Sequence, residues 1–223
     1  MQRIPEPKEL MDDAEQALAY ARADFSEANQ LFIKLLEDQS LGALSGHLLD
    51  LGCGPADIPL ALTRRHPSLK IDAVDGAASM LDLARQNIEA DQDARQRIQL
   101  MCESLPCPGL PEHGYQAVVS NSLLHHLSNP AVMWQTIVRC AQPGAQVLVM
   151  DLTRPASELA IDALVETYAI DEPQVLRQDF RNSLFAAYTV SEVETQLNAA
   201  GLTSLKARKV SDRHLAVTGH IPA

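Results

Sequence analysis

The run "HLLDLGCGPADIPLAL", residues 47–62, constrains this chain more than any other stretch. Apolar residues close on Asp50, the chain passes through Gly52 and Gly54, and an apolar helical pattern resumes within a few positions. A strand that turns directly into a helix opens a β-α-β unit, because parallel strands can be joined only by a crossover. The same alternation continues downstream. "KIDAVD", "IQLMC", "YQAVVSN" and "AQPGAQVLVMDL" read as strands, with "AASMLDLARQNIEA" and "PAVMWQTIVRCA" as intervening helices. Residues 203–211 and 213–220 lie close enough to form a terminal hairpin. This order predicts an α/β fold: a doubly wound, seven-stranded, mostly parallel sheet with an antiparallel C-terminal hairpin strand and helices on both faces.

Local signals refine the boundaries. The first forty residues read as helix, from "PKELMDDAEQALAYARADF" into "SEANQLFIKLLEDQ". Asn129 before Pro130 predicts a helix N-cap followed by a first-turn proline. Residues 156–188 read as helix interrupted at Pro173. Thr189 and Glu192 have capping-box spacing, and Gly201 marks that helix's end.

In such sheets ligands bind beyond the carboxyl ends of the strands, where the strand order reverses. Gly52 and Gly54 sit at that end of the first strand, where glycine lets a ligand approach the main chain. Asp75 ends the next strand about twenty residues on, where a carboxylate takes both ribose hydroxyls. The alternative for Asp75 is an N-cap of the helix that follows. A dinucleotide fingerprint requires a third glycine at position 57, which holds Asp57 instead. A carboxylate there opposes a pyrophosphate on the helix N-terminus, which disfavours an NAD(P)-dependent oxidoreductase. A cationic sulfonium cofactor meets no such objection, and Asp50 can hold a ligand ammonium.

The segments "LLDLGCGPADIPLAL", "IDAVDGAASMLDLARQN", "ESLPCPG", "YQAVVSNSLLHHLSNP" and "CAQPGAQVLVMDL" together resemble the class I S-adenosylmethionine-dependent methyltransferases. The resemblance implies S-adenosylmethionine as cofactor. It places Asp50 at the methionine ammonium, Gly52, Cys53 and Gly54 as a backbone wall, and Asp75 at the ribose diol. Gly76 and Met80 flank the adenine. The family's acidic adenine contact falls on Met101 and Cys102, with Glu103 displaced by two places. Ser120 and Asn121 lie near the methionine portion, with His125 and His126 at the substrate entrance as catalytic candidates. One of these histidines has a structural alternative, as a hydrogen bond capping the next helix. Residues 1–223 then form one domain, with 1–40 as a helical lid and 153–188 as an insertion over the substrate. Tyr20, Phe25, Arg154 and Tyr188 become candidate substrate contacts, with Arg177, Phe180 and Phe185 further wall residues. Arg154 has a surface salt bridge, for instance to Glu158, as its alternative. Arg213 and His214 are ambiguous in the same way.

Composition narrows the acceptor. A formal net charge of −11 favours a small molecule over nucleic acid, whose phosphates are normally met by a basic surface. No apolar run is long enough to cross a membrane, and the first residues lack a secretory pattern. Four cysteines without a Cys-x-x-Cys pair fit reduced thiols in the cytoplasm. Zinc held by Cys102, Cys107, His125 and His126 matches no common spacing, so no metal is expected. The expected function is methyl transfer to a small molecule. The alternative is a non-catalytic protein that binds S-adenosylmethionine or S-adenosylhomocysteine.

Overall fold

In the computed structural model, which describes residues 1–6, 12–40 and 43–223, the opening run becomes β1 (Gly46–Leu51) near the centre of a seven-stranded sheet. The other strands are β2 (Leu69–Asp75), β3 (Ile98–Cys102), β4 (Tyr115–Asn121), β5 (Ala141–Leu152), β6 (Lys206–Lys209) and β7 (His214–His220). Their order is β3-β2-β1-β4-β5-β7-β6. The first five run parallel, and β7 is antiparallel to both β5 and β6. The order reverses between β1 and β4, so a crevice opens beyond the carboxyl end of β1.

Among the described residues eight α-helices accompany the strands: α1 (Ala14–Arg22), α2 (Ser26–Glu37), α3 (Asp57–Arg65), α4 (Ala78–Glu89), α5 (Ala131–Cys140), α6 (Glu158–Tyr168), α7 (Gln174–Ala186) and α8 (Val190–Ala199). Side-chain alternation along the strands feeds two cores. Leu48, Ile71 and Val119 pack on one face with Leu36 of α2, Leu62 of α3 and Leu81 of α4. Leu49, Val118 and Val147 pack on the other with Trp134 of α5 and Leu197 of α8. A satellite core joins α6 and α7 through Ile161, Val165 and Leu184. On the other side of the crevice, Ala17 of α1 packs on Ala77 and on Met80 of α4.

The capping box at Thr189 and Glu192 forms, and Gly201 takes a left-handed φ of +74°. Three expectations shift. Residues 1–6 are not helical, and the stretch 7–11 of the expected first helix lies outside the described residues. Pro130, not Asn129, is the cap of α5, while the Asn129 carboxamide accepts from the Ala131 N–H at 3.2 Å. The closing strands are shorter than 203–211 and 213–220, because a turn with Ser211 bonded to His214 takes the residues between them.

Candidate active site

Where β1 ends, the chain folds back onto β2. The Gly52 and Cys53 N–H groups both donate to the Val74 carbonyl, at 2.8 and 3.0 Å. Gly52 has φ +77°, and a Cβ there would lie 2.9 Å from Leu123, so this position accepts only glycine. Gly54 also has positive φ, but a Cβ on it would meet nothing within 4 Å; its open side faces a cavity. Asp75 is not the N-cap of α4, which is Ala77 with no side-chain cap bond; its carboxylate braces the turn instead. One carboxylate oxygen accepts from Gly54 N–H and the other from Ala77 N–H, each at 2.8 Å. Each oxygen keeps a further lone pair for a ligand hydroxyl.

The cavity has a volume of about 520 Å³, within the range of small-molecule sites. Asp50, Cys53, Gly76, Met80, Glu103 and Asn121 line it beside the glycine turn. Asp57, in the first turn of α3, lines it too, in the place that a third glycine would leave open. The surroundings favour a cation. Burial, and then the neighbouring Asp75, push the Asp50 carboxyl up to about 7. Burial also raises Asp75, against the pull of the Ala77 and Gly54 amides and of His126. The Asn121 carboxamide oxygen is buried with no hydrogen-bond partner among the described residues. A ligand bearing an ammonium and a ribose diol therefore fits the unused acceptors of Asp50, Asn121 and Asp75.

A second group of side chains lies toward β5. Asp75 ends β2 and Asp151 precedes the last residue of β5, so three strand spacings, roughly 14 Å, separate them. Beyond β4 a short turn, Leu124–His126, carries both histidines into the cavity lining. His125 is buried, its Nδ1 lies 2.5 Å from Asp151 Oδ1, and its backbone N–H donates to Asp151 Oδ2. Glu6 arrives from the N-terminal segment: Oε2 is 2.6 Å from His126 Nδ1 and Oε1 is 4.0 Å from His125 Nε2. Arg3 fixes that segment by donating to the carbonyls of Ala186, His125 and Leu127, with its guanidinium over the Tyr188 ring. Burial alone would raise the Glu6 carboxyl, but the His126 and His125 rings and the Ser183 hydroxyl bring it down to about 2. Burial likewise disfavours the His125 imidazolium, yet Asp151 and Glu6 outweigh it and the pKa rises.

The remaining candidates divide. Tyr20, Phe25, Phe180, Arg213 and His214 line the cavity. Met101 and Cys102 do not: Met101 packs against the core on the α5 face, and Cys102 is exposed. The displaced acid, Glu103, one residue past the end of β3, lines the cavity instead. Ser120 is spent on structure, its buried hydroxyl donating to the Leu51 carbonyl at 2.8 Å. Arg154 is a buried strut bonded to the Met1 and Ala187 carbonyls and to Glu192, not Glu158. The Tyr188 hydroxyl donates to the Leu127 carbonyl, which turns it away from the cavity. Arg177 and Phe185 are also outside the lining. Sequence reasoning missed Asp151 and Glu6. Asp151 had a signal, a lone acid in the apolar run "VLVMDL"; Glu6 had none.

Residues 48–145 match the family described as methyltransferase domain. Over 181 residues the chain is 25% identical to demethylmenaquinone methyltransferase of Chlamydia trachomatis, covering 77% of each protein. A shorter stretch of 51 residues is 51% identical to ribosomal RNA small subunit methyltransferase C of Ectopseudomonas mendocina, covering 21% of this chain and 15% of that protein. Among solved structures, a SAM-dependent methyltransferase from Aquifex aeolicus superimposes with a TM-score of 0.68 at 18% identity, covering 94% of this chain and 98% of the other. Among the described residues no helix is long and apolar enough to cross a membrane. Residues 48–145 are thus a methyltransferase domain, and the doubly wound sheet and the glycine turn with its paired acids are of the kind found in class I S-adenosylmethionine-dependent methyltransferases.

Proposed function

We propose that the enzyme methylates a small molecule held between the His125–His126 turn and the helices α1, α2 and α7. The observation that carries this reading is the pair of carboxylates, Asp50 buried and Asp75 half-buried, around a glycine turn whose open side faces the cavity. S-adenosylmethionine supplies an activated methyl group on a sulfonium, which becomes a neutral thioether when the methyl leaves. The chain has to align, orient and exclude water. Asp50 and Asn121 take the cofactor's ammonium, Asp75 its ribose hydroxyls, and Gly52, Cys53 and Gly54 wall its backbone side. Gly76 and Met80 flank the adenine, and Glu103 accepts from the adenine amino group.

Residues 1–40 and 153–188 cover the acceptor, with Tyr20, Phe25 and Phe180 as apolar walls, and the chain works as one domain. His125, oriented by Asp151, and His126, paired with Glu6, handle the acceptor's proton. The demethylmenaquinone enzyme among the relatives supports a small acceptor. An RNA acceptor is disfavoured by the net charge of −11 and by the shortness of the ribosomal RNA methyltransferase match. The free cysteines fit a reducing, cytoplasmic setting.

Calorimetry with S-adenosylmethionine, its demethylated product and NAD tests the cofactor end. Binding of NAD without the sulfonium would overturn the assignment. A labelled-methyl screen over small thiols, hydroxy compounds, quinols and ribosomal RNA tests the acceptor; label in the RNA alone rejects the small-molecule reading.

A further inference from the structure

Two histidines and one carboxylate converge beside the cavity. The ligand atoms of Glu6, His125 and His126 all lie within 4.8 Å of one another. They come from two distant segments, and Glu6 and His125 are each held from outside the cluster. Arg3 ties the segment bearing Glu6 to the His125 and Leu127 carbonyls, and Ser183 donates to Glu6 Oε1 at 2.6 Å. Asp151 Oδ1, 2.5 Å from His125 Nδ1, orients that ring. Its Nε2 faces the Glu6 carboxylate at 4.0 Å, a gap in which a metal ion can take the place of a proton. On the other side, His126 Nδ1 is buried and 2.6 Å from Glu6 Oε2, yet makes no aligned hydrogen bond. The two rings lie 4.1 Å apart between centroids, tilted by 36°.

The geometry points to a divalent transition-metal site: Glu6, His125 and His126 bind one zinc-class ion beside the acceptor pocket. Two imidazoles and a carboxylate are the donor set of three-ligand metal centres that keep a position open. Asp151 is the outer carboxylate that such a histidine ligand carries. Both histidines line the cavity, so the open position faces the acceptor. If methyl transfer proceeds as proposed above, this favours an acceptor that ligates metal through a thiol or hydroxyl. With the histidines holding the metal, that group's proton goes to bulk water rather than to an imidazole. The new bond from its sulfur or oxygen to the methyl carbon forms as the carbon–sulfonium bond breaks. Metal binding itself does not depend on that reading.

The test is a titration of chelator-treated, full-length protein with cobalt(II) and with zinc, without S-adenosylmethionine. The expected result is one tight equivalent of zinc and a visible cobalt(II) spectrum of low coordination number. Glu6→Gln and His126→Asn should each lose the spectrum, and Asp151→Asn should weaken zinc about 10–100-fold. S-adenosylmethionine affinity, measured on the same samples, serves as the folding control and should be retained. A wild-type protein that binds no metal, or folded variants that bind it equally well, would show an ion pair only and overturn the site. Failure of wild type to bind S-adenosylmethionine would instead reject the proposed function and leave the metal result standing.

Discussion

The two ends of the cavity are built on opposite plans. At the glycine turn, the main contacts come from Asp50 to Asp75, and the brace between Gly54 and Asp75 spans 21 residues. At the histidine turn, Arg3 reaches the Ala186 carbonyl across 183 residues, and Glu6 meets Ser183 across 177. The first end is a property of one β-α-β unit. The second exists only when the N-terminal segment, the turn after β4, the tip of β5 and α7 are all in place. Cofactor recognition is therefore local and resistant to change elsewhere, whereas acceptor chemistry depends on the whole chain.

Substitutions can break this contrast if it is wrong. His125→Asn should lower turnover by about 10²–10⁴-fold while leaving the Kd for S-adenosylmethionine within about threefold. A matching collapse of cofactor affinity would mean the two ends are one unit. Asp75→Ala removes two charge-assisted hydrogen bonds to the turn as well as the ribose contact. It should weaken the cofactor by about 100-fold or more, read by calorimetry. Unchanged affinity would refute the ribose assignment.

The pH dependence should distinguish the ends more gently. Asp50 keeps its proton up to about pH 7, well above an ordinary carboxylate, and only the ionised form attracts an ammonium. Cofactor affinity should fall about tenfold for each pH unit below 7, and Asp50→Asn should flatten the curve. In the ligand-free protein the sign is opposite. The folded state holds a proton that the unfolded state releases near pH 4, so this group's contribution to stability is lost as pH rises from about 4 to about 7. The smallest effect belongs to a site remote from both ends. Thr189→Ala deletes the capping box of α8 and should cost about 1 kcal/mol of unfolding free energy with no change in cofactor affinity.

The same contrast governs what the amino-acid order reveals. Strand alternation, the Gly52–Gly54 turn, Asp75 and the Thr189 cap are short-range features, readable because their physics is settled within a few residues. Asp57 in place of a glycine was informative for the same reason. Met101 and Cys102 were misplaced because the family's spacing pointed to them. Met101, still within β3, packs on the core, whereas Glu103, just past the end of that strand, lines the cavity. Arg154 and Tyr188 look like pocket residues in one dimension. Their hydrogen bonds go to main-chain carbonyls of Ala187 and Leu127, partners invisible before folding. Glu6 was illegible because nothing in "RIPEP" announces a histidine pair more than a hundred residues away.

The Arg3 tether also sets a timetable. Its acceptor carbonyl at Ala186 is synthesised long after the arginine itself, and contacts of such sequence separation close late because their loop entropy must be met first. A nascent chain with the β1–β2 unit already paired has the elements of the nucleotide turn long before it has an acceptor end. Glu6, braced by Ser183 of α7, meets His125 and His126 only once that helix has docked.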